Sequence, residues 1–322
     1  MRFLVTGGAG YIGSHTVLAL QAAGHDVVIL DNLTTGHAYL VPDGVPFYQG
    51  DVGDSSLLEK IFHDYPIDGV LHFAAKSLVG ESMQDPGKYF LANTSQSAVL
   101  LSAMAKHKIP YFVLSSTAAV YGEPQDVPIP ESHPIRPTNP YGLSKHLIEQ
   151  MLPWFEKVHR MKWMALRYFN VAGADPQGRS GESHDPETHL IPNILKVAQG
   201  HRDFVSVFGN DYPTEDGTCI RDYIHVSDLA DAHVLAIEAL FSGKPSGVCN
   251  LGNGQGFSVL SVIESARRVT GHPIPVRIEP RRPGDPAVLV ASNAKAVAEL
   301  GWKPKFTDLS TIVETAWLWQ HR

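Results

Sequence analysis

The opening run of the chain constrains its fold more than any other segment. Phe3–Thr6 reads as a short apolar strand and leads directly into Gly7-Gly8-Ala9-Gly10-Tyr11-Ile12-Gly13, after which an amphipathic helical pattern covers Ile12–Ala23. Glycines spaced G-x-x-G-x-x-G between a strand and a helix permit a tight turn. They also let backbone amides at the helix N-terminus approach a pyrophosphate closely. Gly7, Gly10, Tyr11, Ile12 and Gly13 are therefore candidate dinucleotide contacts. Asp31 closes the second strand-like run, 18 residues beyond Gly13, and no arginine stands near it. A carboxylate there accepts from a ribose 2′-hydroxyl and repels a 2′-phosphate, which favours NAD over NADP. Asp51-Val52 follows another short run and reads either as a bracket for adenine or as a turn acid.

Beyond this loop, strand-like runs at Val27–Asp31, Val70–Phe73, Tyr111–Ser115 and Lys162–Arg167 alternate with helical patterns near Ser56–Tyr65 and Thr94–His107. That alternation predicts an α/β protein with a Rossmann-type doubly wound parallel sheet. After about residue 170 the texture changes to loops rich in Gly, Pro and acids, which suggests a smaller α+β C-terminal substrate domain. The expected division is residues 1–170, with a return segment 222–241, for the NAD-binding domain. Residues 171–221 and 242–322 would form the second domain, with the site in the cleft between them.

Tyr141 and Lys145 lie four apart, behind Asn139-Pro140. Asparagine is a good N-cap and proline a good first helical residue, so Tyr141 is expected in a first helical turn with Lys145 on the same face. A phenol titrates near ~10, too high for a neutral-pH base, and a neighbouring ammonium favours its ionised form. The pair reads as an acid/base tyrosine and its lysine.

Other classes of function are disfavoured. Asp and Glu exceed Lys and Arg by 33 − 26 = 7, which argues against nucleic-acid or anionic-membrane partners. The two cysteines, Cys219 and Cys249, form no C-x-x-C pair, and the sixteen histidines contain no H-E-x-x-H pattern. No metal site is expected, and a reducing cytoplasm is the expected location. The N-terminus reads as a strand rather than a signal peptide, and no apolar run approaches a membrane span.

With the glycine loop, Asp31 and Tyr141–Lys145 in place, the chain resembles the extended short-chain dehydrogenase/reductase family, most closely its nucleotide-sugar 4-epimerases. The resemblance is carried by Asp31-Asn32-Leu33, His72-Phe73-Ala74-Ala75, Val79-Gly80-Glu81-Ser82, Ser115–Gly122, Tyr141–Lys145 and Arg167-Tyr168-Phe169-Asn170. Phe208–Thr218, Arg221–Val226 and Arg281-Arg282-Pro283-Gly284-Asp285 complete it. It implies 4-epimerisation of a UDP-hexose, UDP-galactose with UDP-glucose, through a transient 4-keto sugar and a tightly held NAD. Tyr141 would exchange the 4-hydroxyl proton, assisted by Lys145 and Thr117. Asn32, Phe73, Ala74, Ala75, Ser77, Asn93, Ser115, Tyr168 and Phe169 would join the cofactor contacts. Thr117, Tyr141, Asn170, His189, Leu190, Phe208, Arg221, Tyr223, Arg281, Asp285 and Leu289 would meet the substrate. Relatives also pair helices like those near Thr94–His107 and Lys145–His159, so a homodimer is implied.

Departures from the family pattern narrow the reading. Dehydratases of the family place an acid pair after the active-site threonine, whereas Ala118-Ala119 stand here. Ser77, beside Lys76, replaces a lysine of some epimerases, and His189 replaces an asparagine. Leu289 stands where hexose-restricted relatives carry tyrosine, which implies room for UDP-N-acetylhexosamines. A UDP-pentose such as UDP-arabinose, and dehydratase chemistry, remain the alternatives.

Overall fold

Strand β1 (Arg2–Thr6) shows why the first sheet forms. Phe3 and Val5 point into one buried apolar layer and Leu4 into the opposite one. Val27 and Ile29 against Val28 and Leu30 repeat this in β2 (Asp26–Asp31). A strand apolar at every position belongs to a sheet covered on both faces. The computed structural model describes residues 1–282 and 284–322; Pro283 of the second-lobe motif lies outside them.

Five further strands appear up to Ala172: β3 (Phe47–Gln49), β4 (Gly69–His72), β5 (Tyr111–Thr117), β6 (Lys162–Tyr168) and β7 (Asn170–Ala172). β8 (Val205–Phe208), β9 (Ile220–His225), β10 (Gly247–Leu251), β11 (Gly256–Ser258), β12 (Val276–Glu279) and β13 (Val288–Leu289) follow. Seven of them form one parallel sheet in the order β10-β6-β5-β4-β1-β2-β3. Its strand order reverses between β1 and β4, the crevice where ligands bind in such sheets.

A second sheet sets β11, β13 and β7 around β9, while β8 and β12 pair separately. Its apolar core draws on the helices Leu190–Ala198, Val259–Thr270 and Leu309–Gln320. The expected return to the first sheet near residue 222 is corrected here. β9 belongs to the second sheet, and only the helix after it, Val226–Phe241, packs back against Tyr11–Ala22. The strand that returns is β10, which sequence reading had placed in the second domain. Gly247-Val248-Cys249-Asn250-Leu251 carries few β-branched residues, so its propensity concealed a strand that burial imposes. Trp302 and the helix Ala294–Leu300 also pack into the first core. Among the described residues, no helix is long and apolar enough to cross a membrane.

Candidate active site

The glycine loop is tight because its backbones touch. Gly7 has φ +72°, and a Cβ on it would lie 2.6 Å from the Ala74 nitrogen; one on Gly13 would lie 2.1 Å from the Gly7 oxygen. The helix Tyr11–Ala22 receives no side-chain N-cap from Gly10, so its first amides are left for a ligand. Asp31, almost fully buried, accepts from the Ala9 amide at 3.0 Å and the Leu33 amide at 2.8 Å. Burial raises its carboxyl pKa against those two bonds. Asn32 donates to Asp51 at 3.2 Å, joining the ends of β2 and β3. An uncapped helix end behind a glycine cradle, with a buried carboxylate beside it, fits the diphosphate and ribose of NAD.

Asn139 caps the helix Pro140–His159 by accepting from the Gly142 amide at 2.8 Å, which sets Tyr141 in its first turn. Lys145, one turn on, is buried and donates from Nζ to the Ser115 carbonyl at 2.7 Å. Burial lowers its pKa to about 8, opposed by the Glu149 charge. Burial raises the Tyr141 phenol, and the Thr117 hydroxyl, rather than Lys145, supplies the opposing pull. Glu149 stands one further turn along and is held by Arg167 through bonds of 2.9 and 2.6 Å and by Ser116 at 2.6 Å. Burial opposes its ionisation, but the guanidinium outweighs it and holds the carboxyl at about 2. This ion pair ties the Tyr141 helix to β5 and β6.

These residues share one cleft of about 1270 Å³ that runs from the glycine loop to the second lobe. Gly7, Gly10, Tyr11, Ile12, Gly13, Asp31, Asn32, Asp51, Val52, Phe73, Ala74, Ala75, Ser77, Ser115, Thr117, Tyr141, Lys145, Tyr168 and Phe169 all line it. So do Asn170, His189, Leu190, Phe208, Arg221, Tyr223, Asp285 and Leu289. Only the methyl-bearing Ala118 and Ala119 follow Thr117 along the wall.

Two expected contacts lie elsewhere. Asn93, fully buried in a π-helical turn, brackets the Lys76 backbone, donating to its carbonyl at 2.9 Å and accepting from its amide at 2.8 Å. It shapes the 74–77 segment without facing the cleft. Arg281 turns away to Asp211, at 2.7 Å, and lies over the Tyr212 ring. Its neighbour Arg282 faces the cleft instead, 3.9 Å above the Phe208 ring. The two arginines are adjacent in an irregular loop, and only the path of that loop decides which of them faces inward. Arg221 pairs with Asp285 at 2.5 Å, so the guanidinium is oriented before any anion arrives.

Glu182, His184 and Glu187 also line the cleft beside His189, and sequence reading passed them over. Burial disfavours charge on both imidazoles, but the two carboxylates outweigh it and raise both pKa values. The spacing Glu-x-His-x-x-Glu-x-His carries the signal, with its carboxylates and imidazoles alternating rather than ordered as in H-E-x-x-H.

Comparison with known proteins matches residues 3–252 to the model of the NAD dependent epimerase/dehydratase family. A UDP-glucose 4-epimerase of Halalkalibacterium halodurans is 57% identical over 319 residues, 99% of this chain and 95% of that one. The crystal structure of UDP-glucose 4-epimerase from Brucella ovis in complex with NAD superposes with TM-score 0.96 at 44% identity, covering 98% of this chain and 97% of that one. The UDP-glucose 4-epimerase from Bifidobacterium longum, in complex with NAD+ and UDP, gives TM-score 0.93 at 41% identity over 100% and 98%.

Proposed function

The chain belongs to the NAD dependent epimerase/dehydratase family, and from that premise we propose that it interconverts UDP-glucose and UDP-galactose at C4 with NAD as its resident cofactor. The observation that carries the reading is one cleft wall holding Thr117, Tyr141 and Lys145 between an uncapped glycine-loop helix and a pair of arginines. NAD held there would supply a reversible hydride acceptor for the sugar C4.

The residues of the chain do the rest. Gly7, Gly10, Tyr11, Ile12 and Gly13 hold the NAD diphosphate, Asp31 and Asn32 a ribose, and Asp51 and Val52 the adenine. Phe73, Ala74, Ala75, Ser77, Ser115, Tyr168 and Phe169 enclose the reacting end. The Tyr141 oxygen takes the 4-hydroxyl proton and gives it back, Thr117 donates to the reacting oxygen and favours the ionised phenol, and Lys145, one turn on, holds the nicotinamide ribose. Arg221 and Arg282 grip the nucleotide diphosphate with paired donors, and Phe208, Tyr223, Asn170, Leu190 and Asp285 enclose its nucleoside. Fixing the nucleotide and leaving the hexose free to turn presents both faces of the sugar to one hydride carrier. The methyl groups of Ala118 and Ala119 offer no acid or base for elimination, which speaks against dehydration.

Leucine at 289 is smaller than tyrosine and lacks its hydroxyl, and we include UDP-N-acetylhexosamines in the substrate range on that ground. The remaining assignments are of the same kind. Residues 1–170 with 226–251 and 294–302 form the NAD-binding domain, and the rest form the UDP-sugar domain. The working state is a homodimer in the cytoplasm.

Purified protein incubated with UDP-galactose, without added NAD and followed by NMR, should reach an equilibrium mixture with UDP-glucose. UDP-N-acetylgalactosamine tested in parallel should also turn over. No conversion of either sugar, even after NAD is supplied, would sink the reading.

A further inference from the structure

Glu182, His184, Glu187 and His189 bring two carboxylates and two imidazoles to a single point in the cleft wall, with one ligand-capable atom from each within 4.8 Å of the others. A bend at Asp185-Pro186 folds the segment back so that they meet. His189 Nδ1 lies 2.8 Å from a Glu182 oxygen and 2.9 Å from a Glu187 oxygen, and His184 Nδ1 lies 3.1 and 3.8 Å from oxygens of the same two residues. Four ligands held at about 2.0–2.2 Å around a tetrahedral zinc-type ion stand about 3.4 Å from one another. The measured separations fall on both sides of that value, so small side-chain shifts would regularise the set.

Two further observations separate this cluster from an ordinary surface ion-pair group. The side chains of Glu182 and Glu187 are only 7% and 3% exposed, yet among the described residues neither meets a lysine or an arginine. Their only charged partners among those residues are His184 and His189, the same two imidazoles that would turn to a divalent ion, so no lysine or arginine there competes with the ion for the carboxylates. The backbone carrying the cluster is also tied down from outside. Trp319 Nε1 donates to the Glu182 carbonyl at 3.1 Å, and His37 Nε2 to the Ser183 carbonyl at 2.8 Å. Ligands held on a backbone anchored from two separate parts of the chain are already gathered before an ion arrives.

We propose that Glu182, His184, Glu187 and His189 form a divalent transition-metal site of the zinc type, which clips residues 182–189 into the cleft wall. Two nitrogens and two oxygens suit zinc or cobalt better than magnesium or calcium, which prefer all-oxygen shells. The site moves no proton and carries no hydride, so it stands or falls apart from the reaction proposed above.

The test uses untagged protein with its cofactor in place, freed of adventitious metal with a chelator and titrated with Co²⁺. The visible bands of four-coordinate Co²⁺ should grow to one ion per chain and vanish on addition of Zn²⁺, while Mg²⁺ leaves them unchanged. Zn²⁺ should also raise the unfolding temperature. His184→Asn and Glu187→Gln, checked by circular dichroism for an intact fold, should each bind Co²⁺ at least about tenfold more weakly. Absence of the bands, or folded variants that bind as tightly as the parent, would overturn the proposal and leave a histidine–carboxylate ion-pair network.

Discussion

Tyr141 and Glu149 lie two turns apart on one helix face and answer to different tests. Tyr141→Phe removes one oxygen and keeps the ring, so bound NAD and the unfolding temperature should stay near parental values. Turnover should drop about 10²–10⁴-fold, the usual share of a general acid–base group, as measured by initial rates with UDP-galactose. Glu149→Gln leaves the Arg167 guanidinium buried with a weakened partner, and urea unfolding at neutral pH should show a loss of about 3–5 kcal/mol. The folded carboxyl is depressed from 4.5 to about 2, so between those pH values the unfolded chain binds more protons. Stability from this group is complete above the upper value and is lost as pH falls through the lower one. The variant should lack that acid limb. Residues whose chemistry is local, such as Tyr141, Lys145 and the loop glycines, were legible from sequence. Glu149 was not, because its partner Arg167 is on a strand that reaches it only after folding.

At the scale of elements, the strand–loop–helix unit and the arginine loop make opposite demands on precision. A methyl group at residue 13 meets the Gly7 carbonyl, and neither backbone can retreat without opening the turn. Gly13→Ala should therefore lose about 1–3 kcal/mol of stability by thermal unfolding and carry less NAD per chain after purification. The arginine loop is judged by which side chain faces inward. Arg282→Ala should raise the KM for UDP-glucose about tenfold or more, as expected for lost bonds to a charged group, with kcat less affected. Arg281→Ala, which frees Asp211 and uncovers the Tyr212 ring outside the cleft, should leave KM close to the parental value. Sequence reading placed this loop at the site and chose the wrong one of two adjacent arginines. Side-chain parity in an irregular loop depends on where the preceding strand ends, which propensity does not resolve.

For the whole molecule, the cover of the first sheet leaves an apolar surface on the Tyr141 helix. Trp154 and Val158, one turn apart, are 64% and 67% exposed, and Leu91, in the π-helical turn bonded to the start of the same helix at Ser144, is 67% exposed. A second copy of the chain would bury such residues, each contributing about 1.5–3 kcal/mol. Trp154→Glu combined with Val158→Lys should shift sedimentation from dimer to monomer at micromolar concentration, with bound NAD retained. Alternation of strand and helix made the parallel sheet legible from sequence. The division of the later chain was less so, since β10 comes back to the first sheet through contacts with β6 that no local pattern announces. The passage between the two sheets is the shortest link between successive strands among the described residues. Tyr168 ends β6, in register with Thr117, and Asn170 begins β7, in register with Tyr223, with Phe169 alone between them. One inserted residue would advance the chain by about 3.3 Å and turn every following side chain to the other face. The distance from the reacting carbon of a sugar to its nucleotide is thus matched against a calliper with fixed jaws, and its span is set by a single phenylalanine.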